Sequence, residues 1–106
     1  MVKALLTEAG FELNKTFKET RFLKSPKTSY CIYLDNFTSR GGDSVNLIKE
    51  HNYAIELYSY TVDSEAESKI EKTLDKYALD YAKSERYWLE TESLYQVIYT
   101  FDYIEK

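Results

Sequence analysis

The chain holds one cysteine, one histidine, one proline, one tryptophan and three glycines among its 106 residues. A lone cysteine, Cys31, forms no disulfide within the chain, which excludes a disulfide-stapled scaffold and makes a reducing compartment the simpler reading. It sits in an apolar alternation with no basic neighbour placed to lower its pKa, so a buried structural thiol is expected rather than a nucleophile. A lone histidine, His51, has Lys49, Glu50 and Asn52 beside it, which make no ligand or catalytic set. It is expected as an exposed strand residue. Long apolar runs are also missing, and none approaches the roughly 20 residues that span a bilayer. The start, MVKALLTEAGF, is too short in its apolar part to read as a secretory signal. A soluble, intracellular protein is expected. No common catalytic or nucleotide signature occurs: no GxxxxGK, GxGxxG, CxxC, HExxH or GxSxG. The pair Gly41-Gly42 is too short for a phosphate loop. Glu90 with Glu92, or Asp35 with Asp43, has no diagnostic spacing for paired carboxylates.

Basic residues are in the minority, 14 Lys and Arg against 18 Asp and Glu, for a net charge of −4. That excludes gripping nucleic acid as the main role, since phosphate binding needs clustered cations. Aromatic residues, by contrast, are plentiful. With 11 tyrosines, 5 phenylalanines and a hydrophobic fraction of 43%, the chain has the means for a modest core, and disorder over most of its length is excluded. Residues 1–106 read as a single domain with a flexible loop at about 38–46.

The central stretch runs from Asn52 to Lys83. Tyr53, Ile55 and Leu57 alternate with Ala54, Glu56 and Tyr58, which predicts a strand. From Ser64 the period changes. Ala66, Ile70, Leu74, Tyr77, Ala78 and Tyr81 fall on one face of a long amphipathic helix. Asp63 or Ser64 can cap it, and Ser64 with Glu67 fits a capping box. Truncation of Glu71 to alanine is expected to cost little. Val2 to Ala9 reads as a short helix closed by Gly10. Asn14 to Thr20 reads as a connection or a strand. Pro26 argues against a central strand over Arg21 to Lys27. Ser29 to Phe37 is a strand, Thr38 to Asn46 a loop, and Leu47 to Val62 its hairpin partner. Arg86 to Leu89 and Leu94 to Ile104 form a second hairpin across Glu90 to Ser93. The order predicts an α+β domain with a mainly antiparallel sheet, one long helix packed on it through Ile70, Leu74 and Tyr77, and a short N-terminal helix.

Tyr95, Val97, Tyr99, Phe101 and Tyr103 line one face of the last strand, with Leu94, Ile98 and Ile104 on the other. One long helix covers one face only. Trp88, Leu89 and part of the Tyr95 to Tyr103 face are therefore expected to be a partner surface. The candidate interface residues are Trp88, Tyr99 and Tyr103, with Arg40, Gly41, Gly42 and Asp43 of the loop as a second contact. No catalytic, cofactor-binding or metal residues are assigned.

The sequence of these phrases resembles a family. A short helix ending in Gly-Phe, then YCIYLDNF, a Gly-containing loop, LIKEHNYAIELYSY, SEAESKIEKTLDKYALDY and ERYWLETESLYQVIYTFDYIEK are similar to small tail-completion or head–tail joining proteins of tailed bacteriophages and prophages. The resemblance covers nearly the whole chain. It implies a small α+β fold and no enzymatic activity. It also implies a ring, commonly hexameric, contacting other connector or tail proteins, made in the host cytoplasm and placed at the virion neck or tail. It carries no functional residue over to this chain. On residues alone, a small homodimeric binding module of the host cell is the alternative.

Overall fold

In the computed structural model, the described residues are 1–40 and 48–105, with the backbone alone at 37–40 and 48. The described residues form an α+β fold of two helices and a mixed six-stranded sheet. Helix α1 spans Val2–Glu8. The strands are β1 (Phe17–Glu19), β2 (Tyr30–Arg40) and β3 (Ile48–Ser59). Helix α2 spans Ser64–Lys76, followed by β4 (Tyr81–Lys83), β5 (Tyr87–Leu89) and β6 (Leu94–Glu105). The order across the sheet is β1-β2-β3-β6-β4, with β5 also paired to β6. Among the described residues only β1 and β2 run parallel as strands; the other strand pairs are antiparallel.

Alternation decides the faces. Cys31, Tyr33, Tyr53, Ile55, Leu57, Val97, Tyr99 and Phe101 turn to one side and join a core with Val2, Leu5 and Leu6 of α1 and Ala66, Ile70 and Leu74 of α2. Both helices lie on this side. Ile70, Leu74 and Ile55 are fully enclosed together, and Tyr77 packs at the margin, as the helical spacing predicts. Cys31 is buried and free, and burial pushes its thiol well up.

Both helices stop in the same way. In α1 the Phe11 N–H reaches the Leu6 carbonyl at 3.0 Å and the Gly10 N–H reaches Thr7 at 3.1 Å, with Gly10 at φ 102°. This is a Schellman closure with glycine in the left-handed position. In α2 the Leu79 N–H reaches the Leu74 carbonyl at 3.1 Å and the Ala78 N–H reaches Asp75 at 3.0 Å. Here the left-handed residue is Ala78, at φ 55°. The long helix expected through Tyr81 therefore ends at Lys76, and Tyr81 begins β4. At the other end the cap is Asp63, whose carboxylate accepts the Ala66 N–H at 3.0 Å and the Ser29 hydroxyl at 2.6 Å. Glu67 is drawn away from the expected capping box into another contact.

Strand β2 runs three residues further than expected. Thr38, Ser39 and Arg40 are laddered opposite Glu50, Lys49 and Ile48 rather than opening a loop. The rest of the expected loop, Gly41, Gly42 and Asp43 included, lies outside the described residues. Strands of 11 and 12 residues are about twice the usual length. They carry the sheet past its helices and give a body of 48 × 29 × 23 Å.

Candidate functional site

Three features of this frame bear on function: a polar clamp beneath α2, a histidine at the projecting end, and the sheet face that the helices leave open.

The clamp is built on Glu67. Its carboxylate is buried and receives Arg86 Nε at 2.7 Å and Arg86 Nη2 at 2.9 Å. Lys83 Nζ lies 2.9 Å from Glu67 and 2.8 Å from Glu71, and the enclosed Tyr99 hydroxyl donates to Glu71 at 2.7 Å. Burial pushes the Glu67 carboxyl up, but the Arg86 and Lys83 hydrogen bonds outweigh it and hold the group below the usual range. Burial, with the Glu71 contact, raises the Tyr99 phenol. The clamp ties α2 to β4, the segment after it and β6. Every member is committed to another, so its work is cohesion.

His51 corrects the expectation of an exposed strand residue. It is 8% exposed and stacks on Tyr53 with ring centroids 5.1 Å apart. Nδ1 lies 2.8 Å from Asp35 of β2 and Nε2 lies 3.0 Å from Glu105 of β6. An imidazolium donates to both. The Asp35 hydrogen bond raises the His51 pKa, burial opposes it, and Glu105 adds to the rise. Burial, then the Asp35 charge, pushes the Tyr53 phenol up to about 12. With both ring nitrogens engaged, His51 has none left to take a substrate proton or bind a metal. Among the described residues, no group of three or more His, Cys, Asp or Glu is arranged to hold a metal ion.

The open face is formed by the even-numbered residues of β2, β3 and β6. Ile32, Glu56 and Ile98 lie side by side, as do Leu34, Ala54 and Thr100. Leu34 is 40% and Ile104 52% exposed. Polar residues here are tied to each other. The Tyr58 hydroxyl donates to Glu56 at 2.6 Å, Gln96 Nε2 donates to Tyr58 at 2.9 Å, and Asn52 Nδ2 donates to Asp102 at 2.7 Å. A cleft of about 340 Å³ lies at the projecting end, between Asn36, Asn52, Asp102 and Ile104. A larger one, about 420 Å³, lies beside the start of α2, where Asp63 is already engaged by Ser29 and Ala66.

The sequence-predicted interface residues divide accordingly. Trp88 is half exposed at 47%, stacked obliquely on Tyr95 at 4.9 Å and donating Nε1 to Glu90 at 2.6 Å. Tyr103 is partly buried at the projecting end, 6.2 Å from the His51 ring. Tyr99 is fully enclosed beneath α2, so it belongs to the core. The expected uncovered stretch of the Tyr95 to Tyr103 face is largely covered: Val97, Tyr99 and Phe101 are buried. The apolar surplus lies on the opposite face. Arg40 ends β2, and its side chain is outside the described set. Spacing along the chain does not bring Asp35, His51 and Glu105 together. The strand register does, opposing Asp35 to Tyr53 and Lys49 to Glu105.

No protein-family model matches the chain, and comparison with curated proteins gives no match either. No helix among the described residues is long and apolar enough to cross a membrane.

Proposed function

We propose that the chain is a structural assembly protein of a tailed phage or prophage. On this reading it joins head to tail or completes the tail through a ring of its own copies, with no catalytic step. The observation that carries the assembly role is the one-sided sheet. Two helices cover one face, while the other presents Leu34, Ile98 and Ile104 among polar groups that are already hydrogen-bonded to one another. A catalytic pocket needs convergent, available polar groups. The two polar clusters described above are instead closed on themselves. The phage setting comes from the sequence resemblance. It places the protein in the host cytoplasm while it is made and at the virion neck or tail afterwards, with connector or tail proteins as partners.

Incubation with purified tails and with purified connectors of a tailed phage, followed by sedimentation and electron microscopy, tests this. Binding to one of them as a ring is the expected result. A properly folded chain that binds neither, with no self-association, would defeat the reading.

A further inference from the structure

The long strands also present open backbone. Strand β1 covers β2 only over Cys31 to Tyr33. There the Cys31 N–H donates to the Thr16 carbonyl at 2.8 Å and the Tyr33 carbonyl accepts the Thr20 N–H at 2.9 Å. Odd-numbered residues of β2 therefore turn their backbone outward, and the alternation continues to Asp35, Phe37 and Ser39. Among the described residues no strand pairs with that stretch on its outer side. On β6, the Ile98 carbonyl accepts the Ser84 N–H at 2.9 Å and the Ile98 N–H donates to Ser84 Oγ at 2.8 Å. Even-numbered residues turn outward here. Strand β4 covers β6 only as far as Phe101. Asp102 and Ile104 are thus open in the same sense. Both open edges lie at the projecting end, on opposite sides of β3. Strands β2 and β6 are each antiparallel to β3, so they run parallel to one another.

We propose that the β6 edge of one copy pairs in parallel with the β2 edge of the next, so that the sheet continues from copy to copy. This rests on the assembly reading and names its contact. The two edges suit each other. Opposing the backbone of Asn36 to that of Asp102 of the neighbouring copy sets the two side chains on one face, the amide–carboxylate match that Asn52 already makes with Asp102 within the chain. It brings no acid opposite an acid. A symmetric β6-to-β6 pairing instead gathers Asp102 and Glu105 of both copies, which like-charge repulsion disfavours. Two different edges make a head-to-tail contact, the kind that forms a ring when its rotation closes.

Proline at an outward position removes an edge N–H and leaves the ladder to β3 intact. Phe37→Pro blocks the β2 edge and Ile104→Pro the β6 edge. Native mass measurements are expected to show each variant monomeric alone, with unchanged far-ultraviolet circular dichroism. An equimolar mixture should give a heterodimer, because each variant keeps the edge the other has lost. Self-association by either variant alone, at the wild-type level, overturns the pairing and leaves the assembly reading standing. A wild type that stays monomeric at the highest concentration reached overturns the pairing, and overturns the assembly reading as well if it binds neither tails nor connectors. If a proline unfolds the chain, Thr38→Cys and Ile104→Cys proteins are oxidised together. A cross-linked dimer formed in the mixture and in neither protein alone supports the pairing. No cross-link while wild type assembles rejects it.

Discussion

Ring nitrogens 2.8 Å from Asp35 and 3.0 Å from Glu105 make His51 a cross-tie between β2, β3 and β6 at the projecting end of the sheet. Its pKa is raised by the fold. The tie therefore contributes fully below the unfolded value, about 6.5 for histidine, and is lost as pH rises through the folded value. Asp63 and Glu67 are shifted the other way. Their contribution is present above ordinary carboxylate values and lost as pH falls toward and below them. Stability should thus decline on the alkaline side, from about pH 6.5 upward. His51→Gln should flatten that decline, and urea midpoints measured across the range check it. An unchanged alkaline slope in the variant would show that the tie contributes nothing. Nothing near His51 in the chain reveals this role, because its partners are 16 and 54 residues away. Ala78 makes a second residue-scale prediction. Its φ of 55° is one that L side chains resist. Ala78→Gly should stabilise the fold by about 1 kcal/mol, read as a shift in thermal midpoint at constant pH.

The helix α2 and the two hairpins show how far local pattern reaches. Alternation in Tyr30 to Leu34, Tyr53 to Tyr58 and Leu94 to Tyr103 marked the long strands and their faces, because each has one buried side. Strands β1 and β4 have three residues each, too few for a period to show. Helix α2 looked longer because Tyr77, Ala78 and Tyr81 extend its apolar spacing through a stop that lacks glycine. Leu74, fully enclosed, should cost about 2–5 kcal/mol on truncation to alanine. Glu71 was expected to be neutral in the same comparison. The structure makes it the acceptor for the enclosed Tyr99 hydroxyl and a partner of Lys83. Glu71→Ala should therefore cost about 1–3 kcal/mol, through the Tyr99 hydroxyl left without its partner. Denaturant melts of the two variants, with wild-type slopes, decide the order. A Glu71→Ala midpoint equal to wild type would show that water replaces the carboxylate.

For the molecule as a whole, the governing asymmetry is that core and helices lie on one side of a sheet whose strands outrun them. The sequence showed a surplus of aromatic and apolar strand residues and placed it on the Tyr95 to Tyr103 face. Placing it correctly requires knowing that both helices pack on the same side, which no local pattern records. Trp88 remains a surface candidate, with about half of its side chain accessible and its indole resting on Tyr95. Trp88→Asp should weaken binding to tails or connectors more than folding, checked by comparing its melting curve with its binding curve. An equal loss in both would assign Trp88 to the core. The central claim is that this chain works by assembling with copies of itself. Native mass measurement of the wild-type chain over a concentration series tests it most directly. The account predicts monomer at low concentration giving way to a closed multimer of fixed copy number. A folded chain that stays monomeric throughout the series, alone and with purified tails or connectors added, would contradict it.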